Sequence, residues 1–70
     1  MSRSPAAKGQ RVLAALLRQG WKIKRQTGSH RVLQRADRPD YVFAFRDSDE
    51  IGPRMLARIA KHTRITPDDL

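Results

Sequence analysis

No cysteine occurs among the 70 residues, which excludes a disulfide framework and a thiolate zinc site as sources of stability. A chain this short lies near the lower size limit for an unsupported core, so one domain is expected over residues 1–70, with 1–7 loosely ordered. Long apolar runs are missing too. The longest, residues 12–17, is far too short to cross a bilayer and no signal-peptide pattern precedes it, so the cytoplasm is the expected compartment. The few aromatic residues (one Trp, one Tyr, two Phe) form no exposed helix face of the kind that lies on a membrane. There is no glycine-rich phosphate loop, no nucleotide fingerprint, no Ser–His–Asp constellation and no internal repeat, so no cofactor is expected.

Acidic residues are absent from the whole first half. Between Met1 and Ala36 nine cations (Arg3, Lys8, Arg11, Arg18, Lys22, Lys24, Arg25, Arg31 and Arg35) meet no Asp or Glu. Between Asp37 and Leu70 six cations meet seven anions, so the net charge of +8 resides entirely in the first half. Such asymmetry is the footprint of a polyanion-binding surface, and nucleic acid fits it better than a membrane does.

What is present reads as helix, three strands, helix. Ser4-Pro5 has the form of a helix start, although Gly9 weakens that beginning and moves the ordered helix toward Lys8. Val12, Leu13, Leu16 and Leu17 fall on one helical arc with Arg11 and Arg18 elsewhere, and Gly20 suits a left-handed stop. Residues 21–26 alternate, which predicts a half-buried strand with Trp21 and Ile23 inward and Lys22, Lys24 and Gln26 outward. Residues 27–29 supply a turn, 30–35 a returning strand, 36–40 a second turn and 41–45 a third, aromatic strand. The last two strands carry apolar residues on both faces: either both faces are covered, or an apolar patch awaits a partner. An acidic linker then leads into a helix from Gly52 or Pro53 to His62, with Met55, Leu56, Ile59 and Ala60 buried and Arg54, Arg58 and Lys61 on the far side. Residues 66–70 predict a capped turn with Leu70 folded back. The expected core is Leu13, Leu16, Leu17, Trp21, Ile23, Val32, Leu56 and Ile59.

Gly28-Ser29-His30 is the most informative triplet. His30 is one of two histidines, stands at a turn-to-strand junction, and has Lys22, Lys24, Arg25 and Arg31 close in sequence. Imidazole exchanges protons near neutrality, and neighbouring cations hold a phosphate against it. That pairing suits RNA backbone chemistry, because RNA carries its own nucleophile, the 2′-hydroxyl. His30 is then the acid or base, and Lys24, Arg31 and Arg46 are candidates to stabilise charge on the phosphoryl oxygens. The plainer reading is a polar residue closing a hairpin. His62, at a helix C-terminus, reads as a dipole partner. Trp21 reads as core rather than a base-stacking platform. Asp47, Asp49 and Glu50 precede a helix, where acids serve its dipole, and no metal site is expected.

The order of these pieces resembles the HicA (YcfA-like) toxins of bacterial toxin–antitoxin systems. The resemblance rests on Leu16-Leu17-Arg18-Gln19-Gly20-Trp21, then Gly28-Ser29-His30, then Glu50-Ile51 leading to Leu56-Ala57-Arg58-Ile59, and the ending Ile65-Thr66-Pro67-Asp68-Asp69-Leu70. It implies an α+β, double-stranded-RNA-binding-like fold, α-β-β-β-α, with both helices on one face of a three-stranded antiparallel sheet. It further implies a metal-independent, ribosome-independent mRNA endonuclease whose catalytic histidine is His30. Lys22, Lys24, Arg25, Ser29, Arg31 and Arg46 are expected on the RNA, with Gly28 shaping the turn. The implied partner is a HicB-like antitoxin that covers His30, the pair reaching operator DNA only through the antitoxin. This chain departs from the family in having Phe45-Arg46-Asp47 where a Pro-His-type segment is usual, and Arg54-Met55 where a Gly-Thr pair often opens the second helix. The alternative is a non-catalytic RNA-binding module of the same fold. Such modules concentrate lysines at the start of the last helix, where this chain has a single cation, Arg54.

Overall fold

A computed structural model describes residues 6–70. Its elements are β1 (Ala7–Lys8), α1 (Gly9–Arg18), β2 (Lys22–Thr27), β3 (His30–Arg35), β4 (Arg38–Phe43), β5 (Glu50–Ile51) and α2 (Pro53–Thr63), followed by a 3₁₀ turn at Pro67–Asp69. Strands β2, β3 and β4 form an antiparallel sheet in that order, while β1 and β5 pair as a separate short ribbon. The expected α+β arrangement therefore forms. The expected start at Ser4-Pro5 lies outside the described residues.

Helix α1 begins at Gly9 with no side-chain cap. Its free N–H groups are met by a loop instead: Gly9 donates to the Asp49 carbonyl at 2.8 Å and Gln10 to the Asp47 carbonyl at 3.1 Å. Gly9 permits this because a β-carbon there would collide with the Arg46 carbonyl. The glycine that weakens the helix by propensity is thus required by packing. At the other end Gly20 adopts φ +99°. Its N–H donates to Leu17 and that of Trp21 to Leu16, both at 3.1 Å, the paired bonds of a Schellman motif. That motif, not strand alternation, turns the Trp21 ring into the core.

The sheet presents one face to both helices. Leu33 and Phe43 are fully buried against Val12, Ala15 and Leu16 of α1, Trp21, Ile51, Ile59 of α2 and Ile65. Leu13, Leu56 and Leu70 pack around this cluster. Three expected core positions are not in it. Leu17 and Ile23 are 41% and 42% exposed, Leu17 at the border of its helical arc and Ile23 on the edge strand. Val32 belongs to the opposite face, since Leu33 takes the inward position.

Two β-bulges set the faces. Ile23 pairs with Leu33 but Arg25 with Val32, leaving Lys24 as an extra residue in β2. Leu33 pairs with Tyr41 but Arg35 with Arg38, so Pro39 and Asp40 together oppose Gln34. The first bulge reverses the alternation of β2: Arg25, not Gln26, joins Lys22 on the outer face. The second lets β4 start three residues earlier than expected, with Pro39 tolerated because β4 is an edge strand.

The expected capped turn at the end of the chain forms. Asp69 Oδ2 accepts from the Thr66 N–H at 2.7 Å and its hydroxyl at 3.1 Å. Helix α1 holds this turn through Gln19 to Asp69 Oδ1 at 2.9 Å, Arg11 to the Leu70 carbonyl at 2.9 Å, and Arg18 to the Asp69 carbonyl. Two cations of the acid-free half are thereby occupied within the fold. Among the described residues no helix is long and apolar enough to cross a membrane.

Candidate functional site

His30 opens β3 immediately after a two-residue turn and pairs with Thr27 across it. Gly28 has φ +59° and no other residue of this turn has positive φ, the pattern of a type II′ hairpin turn with glycine first. Nothing lies within 4 Å of where a β-carbon of Gly28 would stand, so the glycine is needed for its backbone angle alone. The Gln26 side chain donates to the Gly28 carbonyl at 3.2 Å and braces the turn. Ser29 is half-buried and His30 exposed.

Register decides which way the imidazole faces. Arg31 pairs with Phe43, a core residue, so His30 and Val32 lie on the opposite face, away from the helices. Arg31–Phe43 is the last β3–β4 pair, so His30 extends one residue past it, beside the point where the chain leaves β4 toward Arg46.

The cations expected around His30 do not gather in one place. Arg25 pairs with Val32 and shares the outer face with His30, and Arg46 sits exposed on the loop that follows β4. Lys22 is on the same face but opposite Gln34, about 13 Å along the sheet at ~3.3 Å per residue of β3. Lys24 is turned toward β4, its Nζ 2.9 Å from Asp40 Oδ2. Arg31 points inward. Its side chain is only 14% exposed and reaches Asp47 Oδ1 and the Phe45 carbonyl, each at 3.5 Å, tying the loop after β4 to β3. His30 and Arg25 therefore share the outer face, with Ser29 in the preceding turn and Arg46 on the loop after β4, while Lys22 lies at the far end of that face, Lys24 is tied to Asp40 and Arg31 faces inward.

The outer face carries two further features, the first of which the sequence allowed for as an apolar patch on the last two strands. Val42, 52% exposed, is the cross-strand partner of Val32, forming an apolar spot beside His30. The signal was the apolar pattern on both sides of these strands. Gln34 and Asp40 also join this face through the register, which no local pattern reveals.

His62 lies across the sheet from His30. It stacks on Tyr41, ring centroids 5.7 Å apart and planes at 25°, in addition to ending α2. Burial raises the pKa of the Tyr41 phenol, with Arg58 opposing the rise. The acidic linker is engaged locally: Asp47 meets Arg31, Asp49 accepts from the Arg46 N–H at 2.9 Å, and the carbonyls of both cap α1. Among the described residues no three His, Asp or Glu side chains converge as a metal site.

Comparison with curated proteins finds no match, and comparison with solved structures finds none. A family profile described as "HicA toxin of bacterial toxin-antitoxin" matches residues 9–65, from the first residue of α1 to the buried Ile65 beyond α2. That span takes in the Schellman-capped helix, the whole sheet with its Gly28-Ser29-His30 turn, and the closing helix, so the chain belongs to the HicA toxins of bacterial toxin–antitoxin systems.

Proposed function

We propose that this toxin acts as a metal-independent, ribosome-independent mRNA endonuclease in the cytoplasm, with His30 as its catalytic histidine. The observation that supports this most is an exposed imidazole on the same open sheet face as Arg25, placed by a turn whose backbone only glycine adopts without strain. The phosphodiester lies against Arg25 and Arg46 while His30 takes the proton of the adjacent 2′-hydroxyl. O2′ attacks phosphorus, the P–O5′ bond breaks, and the products carry a 2′,3′-cyclic phosphate and a 5′-hydroxyl. The departing O5′ takes a proton from His30 in its charged form or from water. The attacking group belongs to the RNA, so no metal-activated water is called for.

A HicB-like antitoxin neutralises the toxin by covering His30, with the Val32–Val42 spot supplying apolar contact beside it. Operator DNA is contacted by the antitoxin part of the complex. The deciding experiment induces wild type and His30→Ala in cells and incubates each purified protein with RNA. Growth arrest and cleavage by wild type alone are expected. Equal activity of the variant removes His30 from the mechanism, and an inert wild type that still binds RNA favours a non-catalytic binding module.

A further inference from the structure

A concavity lies on the sheet, at the end away from His30. It is a half-open dish of roughly 540 Å³ lined by Gly20, Lys22, Gln34, Arg35, Asp37 and Asp40. Lys22 and Gln34 are a register pair on the outer face, the face that carries His30. Both bulges border this spot, and bulges commonly re-aim side chains beside functional sites.

The chemistry of the rim selects its ligand. Arg35 Nε is 3.0 Å from Asp37 Oδ1 and Lys24, from outside the rim, places its Nζ 2.9 Å from Asp40 Oδ2, so both carboxylates of the rim are ion-paired. A phosphate would meet two carboxylates and a metal ion would meet Lys22 and Arg35. A neutral group bearing both donors and acceptors suits the rim better than either, and a nucleobase is such a group. Each carboxylate keeps acceptor capacity after its one ion pair. Arg35, ion-paired to Asp37, lines the concavity beside Gly20, its Nε 3.8 Å from where a β-carbon of that glycine would stand, and a guanidinium is a planar group on which a base stacks.

We infer that this concavity is a base-reading subsite of the toxin, selecting guanine in the RNA strand that His30 cuts. Guanine N1–H and N2–H₂ offer two parallel donors to the Asp40 carboxylate, and its O6 accepts from Lys22 or the Gln34 amide. Uracil and cytosine lack this donor pair, and adenine has no O6. From Gln34 to His30 is four residues of β3, about 13 Å, or no more than about four stacked nucleotides at ~3.4 Å each. The phosphates run over the basic track of Arg25 while the base drops into the neutral rim.

The cleavage part of this inference rests on the proposed function, whereas the base preference stands without it, so the two are tested apart. The four nucleosides are titrated separately into His30→Ala protein and backbone amides are followed by NMR. Guanosine is expected to shift the Lys22, Gln34 and Asp40 amides at least about tenfold more tightly than the other three, and Asp40→Asn to abolish that advantage. No shifts there at millimolar guanosine, or equal shifts with all four nucleosides, overturn the subsite whatever the protein does to RNA. With wild type, the 5′ ends of fragments from a random-sequence RNA are then read. Guanine enriched at one fixed position within four nucleotides of the cut, and levelled by Asp40→Asn, is the expected result. Cleavage with an even base distribution overturns the inference, whereas absence of any cleavage counts against the proposed function and leaves the nucleoside result to decide the subsite.

Discussion

Gly9 packs its α-carbon directly against the carbonyl group of Arg46, leaving no room for a β-carbon. Helix propensity favours alanine over glycine by about 0.8–1 kcal/mol in a helix interior, whereas overpacking of this kind costs about 1–3 kcal/mol. The second effect wins because the opposing atom is backbone, held by the Asp49 N–H donating to the Arg46 carbonyl at 3.1 Å. Gly9→Ala should therefore lower the melting temperature, by about 4–8 °C for each kcal/mol lost in a domain of this size. A thermal melt showing the alanine protein equally stable would refute the packing argument.

Removing the imidazole should separate chemistry from folding. His30 is exposed, so His30→Ala is expected to change stability by no more than about 0.5 kcal/mol while cleavage falls by about 10²–10⁴-fold. Wild-type activity should persist in EDTA and leave 2′,3′-cyclic phosphate ends. Loss of activity on chelation, restored by a divalent ion, would replace the metal-free scheme.

Arg25 and Arg31, expected alike to bind RNA, should behave differently. Arg25 is on the outer face, so Arg25→Ala should weaken RNA binding on all sequences and reduce the slope of log K against log salt by about 0.7–1 without altering the melt. Arg31 is mostly buried and bonded to Asp47 and the Phe45 carbonyl, so Arg31→Ala should destabilise the fold by about 1–3 kcal/mol. A double-mutant cycle with Asp47→Ala should show coupling. Equal salt slopes for both single variants would contradict the assignment of faces.

The single tyrosine permits a pH test. Burial raises the Tyr41 phenol above its ordinary value near 10, and Arg58 works against that rise. The neutral phenol is the form the fold favours. Its contribution to stability is therefore complete below the unfolded pKa and is lost as pH climbs through the higher folded value. Ultraviolet titration of the native protein should give a midpoint above that of the unfolded chain, and Arg58→Ala should move it further up. A midpoint at or below the unfolded value would exclude burial as the dominant influence.

The helices, the β3 bounds, the Gly28 turn and the capped ending were legible in the sequence because each depends on neighbours within a few residues. Helical arcs, a glycine at a left-handed position and a Thr-Pro-Asp-Asp cap are local signals, and they carried the family resemblance as well. Charge asymmetry was legible for the same reason, since it needs only a count. What only tertiary structure decided was the direction of individual side chains. One inserted residue at Lys24 reverses the alternation of β2, and pairing with Phe43 sends Arg31 inward beside an outward His30. Arg11 and Arg18, cations like any other in the sequence, are bound by a turn some fifty residues away. Register and long-range contacts depend on partners far along the chain, and a period-two pattern carries no mark of where a bulge will interrupt it.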